Sequence, residues 1–181
     1  MCDLYDITTA HETFRHLFPQ SCDMTNRVDP QLDVYPNYPA PALRNLSGSE
    51  HELAHLRWGM QTPPIYVKGE AAKPLHWFAH NEEKPLFAFT GIWTTWDGAR
   101  KKKEGPVEDD IFAFLTTEPN AVVMPVHPKA MPVSLCTVEE IDTWSRAPWN
   151  EPKQMQKPLP DADLIDLTPS NDNKEVQASL F

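Results

Sequence analysis

The spacing of apolar residues along the chain predicts short β-strands rather than long helices. In residues 52–60, Ala54, Leu56, Trp58 and Met60 occupy alternate positions, which is the period of a strand with one buried face. Other runs are rich in aromatic and β-branched residues and are bounded by Pro, Gly or charge. They predict further strands at residues 75–80, 86–96, 111–117, 122–126 and 133–136.

Two capping boxes predict short helices. Thr9 and Glu12 precede an apolar pattern that a proline stops, which predicts a helix over residues 10–18. Thr137 and Glu140 predict a second helix that ends before the next proline. Strands together with two short helices place the chain in the α+β class.

The connecting segments differ in composition from the predicted strands. Residues 21–42 are polar and contain four prolines, which predicts an extended, ordered loop at the surface. Residues 97–110 include four consecutive basic residues between two glycines, which predicts a solvent-exposed hairpin loop. The chain becomes polar after Trp149, so we expect a core domain at residues 1–149 and a largely flexible tail at residues 150–181.

The composition excludes several classes of protein. Nineteen prolines among 181 residues are incompatible with a bundle of long helices, because each interior proline removes a helix hydrogen bond. A net charge of −10 argues against a protein that coats nucleic acid through charge alone. No apolar run has the length of a membrane span, and three scattered cysteines do not form a disulfide framework. We therefore expect a cytoplasmic protein with no membrane partner and no cofactor.

One short motif suggests a zinc peptidase. His51-Glu52-Leu53-Ala54-His55 matches the HExxH pattern, in which a helix places both histidines on one face and the glutamate acts as general base. The alternation that continues through Trp58 favours a strand instead. Positions 51 and 55 of a strand lie about 13 Å apart and cannot share a metal. We therefore expect no metal site here and keep the zinc peptidase as the weakest alternative.

Cys2 is a second candidate for chemistry. If Met1 is removed, this residue carries a free α-amine and a thiol, and both groups are partly deprotonated near neutral pH. The amine condenses with an aldehyde to an imine, and the adjacent thiol closes the imine into a thiazolidine. The alternative is an ordinary disordered terminal residue.

Five separated blocks of the sequence resemble one known family. The blocks are Met1-Cys2-Asp3-Leu4-Tyr5, Pro36-Asn37-Tyr38-Pro39-Ala40-Pro41, Leu56-Arg57-Trp58-Gly59-Met60, Leu86-Phe87-Ala88-Phe89-Thr90-Gly91-Ile92-Trp93 and Val126-His127-Pro128-Lys129-Ala130-Met131-Pro132. In this order they resemble the SOS-response-associated peptidase (SRAP) family over about residues 1–165. The resemblance implies a curved, mainly antiparallel β-sheet or partly open barrel with short flanking helices. It also implies a sensor of abasic sites in single-stranded DNA that forms a covalent thiazolidine crosslink through Cys2.

The resemblance implies roles for individual residues. Cys2 is the implied nucleophile, and His127 is the implied histidine that assists proton transfer, where the alternative is an ordinary turn residue. Pro36 and Trp58 resemble positions where the family contacts unstacked DNA, although Trp58 fits a core position equally well. The implied phosphate contacts are Arg44, Arg57 and Lys129.

The sequence departs from the family pattern near residues 61–76. The family has a longer segment there, with an Asn-x-Arg motif and a catalytic glutamate, and this chain has no counterpart of either. Loss of a strand pair should expose apolar edges on the remaining sheet. An impaired crosslinking protein and a catalytically inactive paralogue that acts in binding or assembly both fit this departure. The family's peptidase and lyase-type activities therefore stay open for this chain.

Overall fold

The structure is a computed structural model that describes residues 5–7, 11–19, 21–46, 50–59, 76–99 and 105–168. This part of the chain is mostly β-strand, with two short α-helices and two 3₁₀ helices. The strands are β1 (Tyr5–Ile7), β2 (Cys22–Asp23), β3 (Gln31–Val34), β4 (Pro39–Asn45), β5 (His51–Trp58), β6 (Phe78–Ala79), β7 (Ala88–Phe89), β8 (Gly91–Ala99), β9 (Pro106–Phe114), β10 (Thr116–Thr117), β11 (Met131–Pro132), β12 (Ser134–Leu135) and β13 (Ile165–Asp166). The helices are α1 (His11–Leu17) and α2 (Val138–Arg146), and the 3₁₀ helices are Pro152–Met155 and Asp161–Asp163.

The largest sheet is built around β5. β4 pairs antiparallel with one edge of β5, and β2 and then β9 pair parallel with the other edge. β8 extends the sheet as the antiparallel partner of β9. Four two-stranded sheets, β1–β3, β6–β13, β7–β12 and β10–β11, surround it. These mixed sheets do not close into a barrel, so the predicted α+β fold is confirmed in its open form.

Aromatic side chains form the centre of the core. Trp58 lies 5.1 Å from Phe114 and 5.2 Å from Tyr5, measured between ring centroids. Phe112 and Phe89 extend this cluster by contacting Phe114. Trp58 and Phe112 are directly opposed in the β5–β9 register, so both project from the same face of the sheet. This face of the sheet therefore carries the main hydrophobic core cluster.

Both predicted helices and the predicted hairpin are present, whereas Thr9 of the first capping box lies outside the described residues. α1 falls within the predicted residues 10–18, and α2 begins after a capping box in which both the Thr137 and the Glu140 hydrogen bonds are present. β8 and β9 form the predicted hairpin, although the strands continue to Ala99 and resume at Pro106, further than predicted. No helix among the described residues is long and apolar enough to cross a membrane.

The prediction of a surface loop at residues 21–42 is wrong. Val28 is 2% exposed, and Val34 and Ala40 are fully buried. β3 pairs with β1, and the prolines of β4 are tolerated because β4 pairs with β5 alone, so its proline nitrogens face away from the ladder. Long-range strand pairing has ordered a segment whose local composition indicates a loop.

The prediction of a strand at residues 122–126 is also wrong. Asn120 accepts a hydrogen bond from the Val123 amide at its side-chain oxygen, at 2.9 Å. The amides of Met124 and His127 then bond back to the carbonyls of Asn120 and Val123. These contacts wind the segment into consecutive turns, because an asparagine side chain competes with strand pairing for nearby amides.

Residues 150–168 are part of the domain rather than a flexible tail. Pro152 is buried, and Leu164 packs with Val123 and Met131 at 6% exposure. β13 pairs with β6, and the Thr168 hydroxyl accepts a hydrogen bond from the Trp77 amide at 2.9 Å. Few but well-placed apolar residues therefore order a polar segment. The rest of the predicted tail, residues 169–181, lies outside the described residues.

β8 is an edge strand among the described residues, and it carries exposed apolar side chains. Residues 60–75 are outside the described residues, and so is the hairpin tip at residues 100–104. Among the described strands, none pairs with the outer edge of β8. Ile92 and Trp93 on this strand are 56% and 36% exposed. These two apolar side chains are therefore accessible to solvent, while the expected loss of a strand pair near residues 61–76 stays a prediction.

Candidate functional site

His127 lies in a turn that holds its imidazole in one orientation. The ring Nδ1 is 2.7 Å from the Ala130 carbonyl oxygen and 3.3 Å from the Ala130 amide nitrogen. A carbonyl only accepts, so the shorter contact assigns the ring proton to Nδ1. In the neutral ring, Nε2 then carries the lone pair. This arrangement suits a general base whose tautomer is fixed by the backbone.

The backbone around His127 is fixed from several directions. Its amide donates to the Val123 carbonyl at 2.8 Å, and Val123 is buried. Asn120 starts the turn, and its side-chain oxygen accepts a hydrogen bond from the Val123 amide. Its side-chain nitrogen donates a hydrogen bond to the Leu159 carbonyl at 3.0 Å. We name residues 120–130 the histidine turn. Its rigidity means that a proton-transfer group here keeps its position.

Lys129 and Pro36 are exposed, as contacts with DNA require. Lys129 shares the histidine turn with His127. Pro36 occupies the turn between β3 and β4, where the Tyr38 amide donates to the Tyr35 carbonyl at 3.1 Å. Asn37 has a φ of 76°, so Pro36 and Asn37 form the centre of a type II turn.

Two exposed tyrosines beside Pro36 are functional candidates that the sequence analysis missed. Tyr35 and Tyr38 are 40% and 50% exposed, and their rings meet edge to face with centroids 6.0 Å apart. Exposed aromatic rings held by a fixed turn offer flat surfaces for unstacked bases. The available signal was the pair of tyrosines that flanks the Pro-Asn turn.

Arg44 does not offer its guanidinium to a phosphate. Its Nε donates to Glu52 at 2.6 Å and a terminal nitrogen donates to Asp110 at 2.5 Å, and its side chain is 15% exposed. The guanidinium also lies 4.4 Å from the centre of the Trp93 ring. Burial alone would lower the pKa of Arg44, but the bonds to Asp110 and Glu52 outweigh it and raise the pKa. Arg44 therefore joins strands rather than binding DNA.

Arg57 is also engaged within the protein. Its Nε donates to Asp109 at 3.0 Å, and a terminal nitrogen donates to the Asn37 carbonyl at 2.6 Å. The side chain is 26% exposed. These bonds fix the turn that carries Pro36 against β5. We assign Arg57 a positioning role for that turn.

Trp58 is a core residue, which is the alternative that the sequence left open. It is 5% exposed, and Tyr5 and Phe114 contact its indole ring. A buried indole does not stack on a base, so we assign Trp58 to the core and not to DNA binding. The exposed rings nearest in sequence to Pro36 belong to tyrosines instead.

The zinc peptidase interpretation is wrong. Residues His51–Trp58 form a strand, so the two histidines of the motif do not share a helix face. Glu52, the required general base, is held by Arg44. Within the described residues, no group of three or more His, Cys, Asp or Glu side chains is arranged to hold a metal.

The two cysteines that the structure describes differ in their exposure to solvent. Cys2 lies outside the described residues. Cys22 is exposed, and Cys136 is partly buried. Burial, together with Glu140 and Asp163, raises the pKa of Cys136 to about 11. Cys136 therefore stays protonated near neutral pH and is a poor nucleophile.

The fold and the histidine turn define a mostly β domain in which the partly buried His127 imidazole is bonded to the backbone of its own turn. The chain belongs to the SOS response associated peptidase (SRAP) family, whose sequence pattern matches residues 66–173, more than half of the chain. Membership associates the chain with the SOS response and thus with DNA damage. The matched region contains His127 and Lys129, whereas Cys2, Pro36 and Trp58 precede it, as do the two arginines.

Two solved structures share the fold. A protein from Bacteroides thetaiotaomicron has a TM-score of 0.64 and 17% identity, covering 94% of this chain and 93% of that chain. A protein from Bordetella bronchiseptica has a TM-score of 0.60 and 18% identity, covering 93% of this chain and 100% of that chain. At these identities the likeness concerns the fold alone. No curated protein matches the sequence significantly.

Proposed function

We propose that this chain detects abasic sites in single-stranded DNA and attaches to them covalently through Cys2. The observation that carries the proposal is the SRAP match over residues 66–173, which includes a histidine held in one tautomer by the Ala130 carbonyl. The expected setting is the cytoplasm, at the nucleoid. The reaction needs no metal and no cofactor.

The proposed chemistry has two steps at Cys2. After removal of Met1, the α-amine attacks the aldehyde of the ring-opened sugar, and loss of one water gives an imine. The thiolate then adds to the imine carbon while the imine nitrogen takes up a proton, which closes a thiazolidine. No electrons leave the system, so no oxidant or reductant is required.

His127 is proposed to assist the proton transfers of these steps. Its Nε2 carries the lone pair when Nδ1 bonds to Ala130, so it accepts a proton from the attacking amine and returns it to the departing hydroxyl. The family's glutamate would share this work, and this chain has no counterpart in its sequence. We therefore expect slow crosslinking and no measurable reversal, whereas self-removal of residues ahead of Cys2 stays open for this chain.

Contact with DNA is proposed to occur through a small surface. Pro36 and the rings of Tyr35 and Tyr38 would receive unstacked bases, and Lys129 would contact a phosphate. The net charge of −10 opposes sequence-blind attraction. Affinity for undamaged DNA should therefore be weak and strongly salt-dependent, with most of the retention arising from the covalent bond.

A second candidate is a catalytically inactive SRAP paralogue that acts in binding or assembly. The observation that favours it is the engagement of Arg44 and Arg57 by carboxylates and the burial of Trp58, which remove three of the implied DNA contacts. This candidate predicts that no covalent product forms.

One experiment separates the two candidates. The purified chain is incubated with single-stranded DNA that carries one abasic site, and the products are separated on a denaturing gel. We expect a slowly migrating product that Cys2→Ser abolishes and that Cys22→Ser and Cys136→Ser retain. An undamaged oligonucleotide serves as the control. Absence of the product from chain whose Met1 removal is verified by mass spectrometry would favour the inactive paralogue.

A further inference from the structure

The outward surface of the histidine turn is apolar. Val123 packs into the core, whereas the three residues that follow it are exposed. The exposed fractions of Met124 and Val126 are 52% and 37%, and Pro125 between them is also exposed. Single exposed apolar side chains are common, but three in succession on a turn fixed by hydrogen bonds form a small apolar surface. We name residues 124–126 the apolar tip.

Met124 and His127 lie on the same side of the histidine turn. The Met124 amide donates to the Asn120 carbonyl at 2.9 Å, and the His127 amide donates to the Val123 carbonyl at 2.8 Å. Both bonds span four residues, as in an α-helix. Residues three positions apart on helical turns are neighbours, with Cβ atoms about 5–6 Å apart. An exposed thioether side chain therefore lies next to the imidazole that the proposed function uses.

The charge around the apolar tip favours contact with a polyanion. Residues 119–138 contain no Asp or Glu, although 26 of the 181 residues in the chain are acidic. Lys129 is exposed on the same turn and adds a positive charge. Asp161 approaches the start of the turn, where its carboxylate accepts a hydrogen bond from the Ala121 amide at 2.8 Å. A phosphate backbone therefore meets less repulsion at the apolar tip than the net charge of −10 alone suggests.

We propose that Met124 enters the gap left by the missing base and thereby distinguishes an abasic site from an intact nucleotide. This inference rests on the proposed contact of the histidine turn with abasic DNA, but not on the covalent step. The bases on either side of an abasic site have lost a stacking partner, and an apolar side chain in the gap covers their exposed faces.

The chemistry of methionine suits this role. Proteins that kink DNA insert apolar side chains, methionine among them, between neighbouring bases. The unbranched, polarizable side chain adapts to an irregular gap. An intact nucleotide fills the same space with its base, so Met124 would bury no further apolar surface there. The expected result is a preference for abasic DNA that precedes any reaction at Cys2.

The test uses an abasic analogue that cannot crosslink. Single-stranded oligonucleotides carry either one tetrahydrofuran residue, which has no aldehyde, or an intact nucleotide at the same position. Fluorescence anisotropy measures the affinity of the full chain for each at low salt. We expect about fivefold tighter binding of the analogue, which is the scale for burying the exposed part of one methionine side chain. Met124→Ala should bring the ratio of the two affinities close to one.

Further substitutions at the same position separate apolar contact from shape. Met124→Gln keeps the length of the side chain but not its apolar character, and should also lower the affinity ratio. Met124→Leu should retain most of the ratio. Met24→Ala is the matched control, because Met24 is 64% exposed and lies outside both the histidine turn and the turn at Pro36. It should leave the ratio unchanged, whereas Lys129→Gln should weaken the binding of both oligonucleotides to the same extent.

The outcomes separate this inference from the proposed crosslinking. Equal affinity of the unaltered chain for the two oligonucleotides, or a preference that Met124→Ala and Met124→Gln both retain, would overturn the role of Met124. Binding of neither oligonucleotide would overturn it as well and would leave the apolar tip to a protein partner. A chain that prefers the analogue but forms no crosslink with a true abasic site would refute only the proposed chemistry. A chain that crosslinks without this preference would refute only the inference.

Discussion

Arg44 and Asp110, 66 positions apart in the sequence, form a 2.5 Å ion pair that joins β4 to β9 across the central strand β5. The guanidinium also binds Glu52 on β5, and Asp110 accepts a second hydrogen bond from Thr95 on β8 at 2.7 Å. One arginine thereby connects four strands. The residue that the family resemblance assigned to phosphate binding instead contributes to the integrity of the sheet.

Replacing Arg44 should destabilise the fold. Arg44→Leu leaves two carboxylates without their partner, and we expect a loss of about 2 kcal/mol in the free energy of unfolding, reduced from fully buried cases by partial exposure of Asp110. Urea unfolding of the purified variant measures this. Arg27→Leu, which breaks an exposed pair with Asp29, should cost at most about 0.5 kcal/mol. Equal effects of the two substitutions would contradict the role given to Arg44.

The same ion pair predicts how stability depends on pH. The bonds from Arg44 and Thr95 hold the pKa of Asp110 below its ordinary value of 3.8. Because the folded-state pKa is depressed, the stabilisation is fully present above the ordinary value and is lost as pH falls through the folded-state pKa. Thermal unfolding between about pH 5 and pH 2.5 should show this loss. In Arg44→Leu the acid dependence should be shallower, and an unchanged slope would assign it to other carboxylates.

His127 should affect the rate of crosslinking rather than the fold. His127→Ala removes the proposed proton-transfer group, and we expect the initial rate to fall by about 10²-fold, the lower end of general acid–base effects. Gel-based time courses measure the rate. His80→Ala is the matched control, because the His80 ring also contacts a backbone carbonyl, that of Asp163 at 2.7 Å, outside the histidine turn. A similar loss in both variants would indicate a structural effect.

The exposed tyrosines should contribute to capture of DNA. Substituting Tyr35 and Tyr38 by alanine removes two surfaces for unstacked bases, at about 1–3 kcal/mol for each stacked base. We expect a higher DNA concentration for half-maximal crosslinking rate, with little change in the maximal rate. Trp149→Ala, which removes a 59% exposed aromatic residue elsewhere, should leave both quantities unchanged. A fall in the maximal rate alone would place the tyrosines in the chemical step.

Sequence reasoning succeeded where the determining contacts are local. The capping box at Thr137 and Glu140 involves residues three positions apart, and the β8–β9 hairpin joins neighbouring strands. The incorrect predictions concern residues whose contacts are with partners far away in the sequence. Val34 is buried because β3 pairs with β1, and nothing in residues 21–42 reveals that partner. The Arg44–Asp110 pair likewise has no local signal.

Cys2 and His127 illustrate the same division for the candidate site. Cys2 was identified from the chemistry of one residue, and His127 from a short block of family resemblance. The orientation of the His127 ring depends on Ala130, Val123 and Asn120. Composition and periodicity carry no information on such contacts, so the orientation of the ring became accessible only through the structure.

The buried side chain of Asn120 connects the histidine turn to residues far along the chain, so the position of this turn depends on them. Asn120 donates to the Leu159 carbonyl, and the adjacent Ala121 amide donates to Asp161 at 2.8 Å. Hydrogen bonds to Leu159 and Asp161 thus hold the start of the histidine turn in place. A chain shortened at Trp149 would keep Cys2 and His127 in its sequence but lose these two hydrogen bonds, so we expect the proposed crosslinking to slow because the imidazole is less well aligned. Affinity tags and domain fusions intended to preserve activity therefore belong after Thr168, where the bracing segment stays intact.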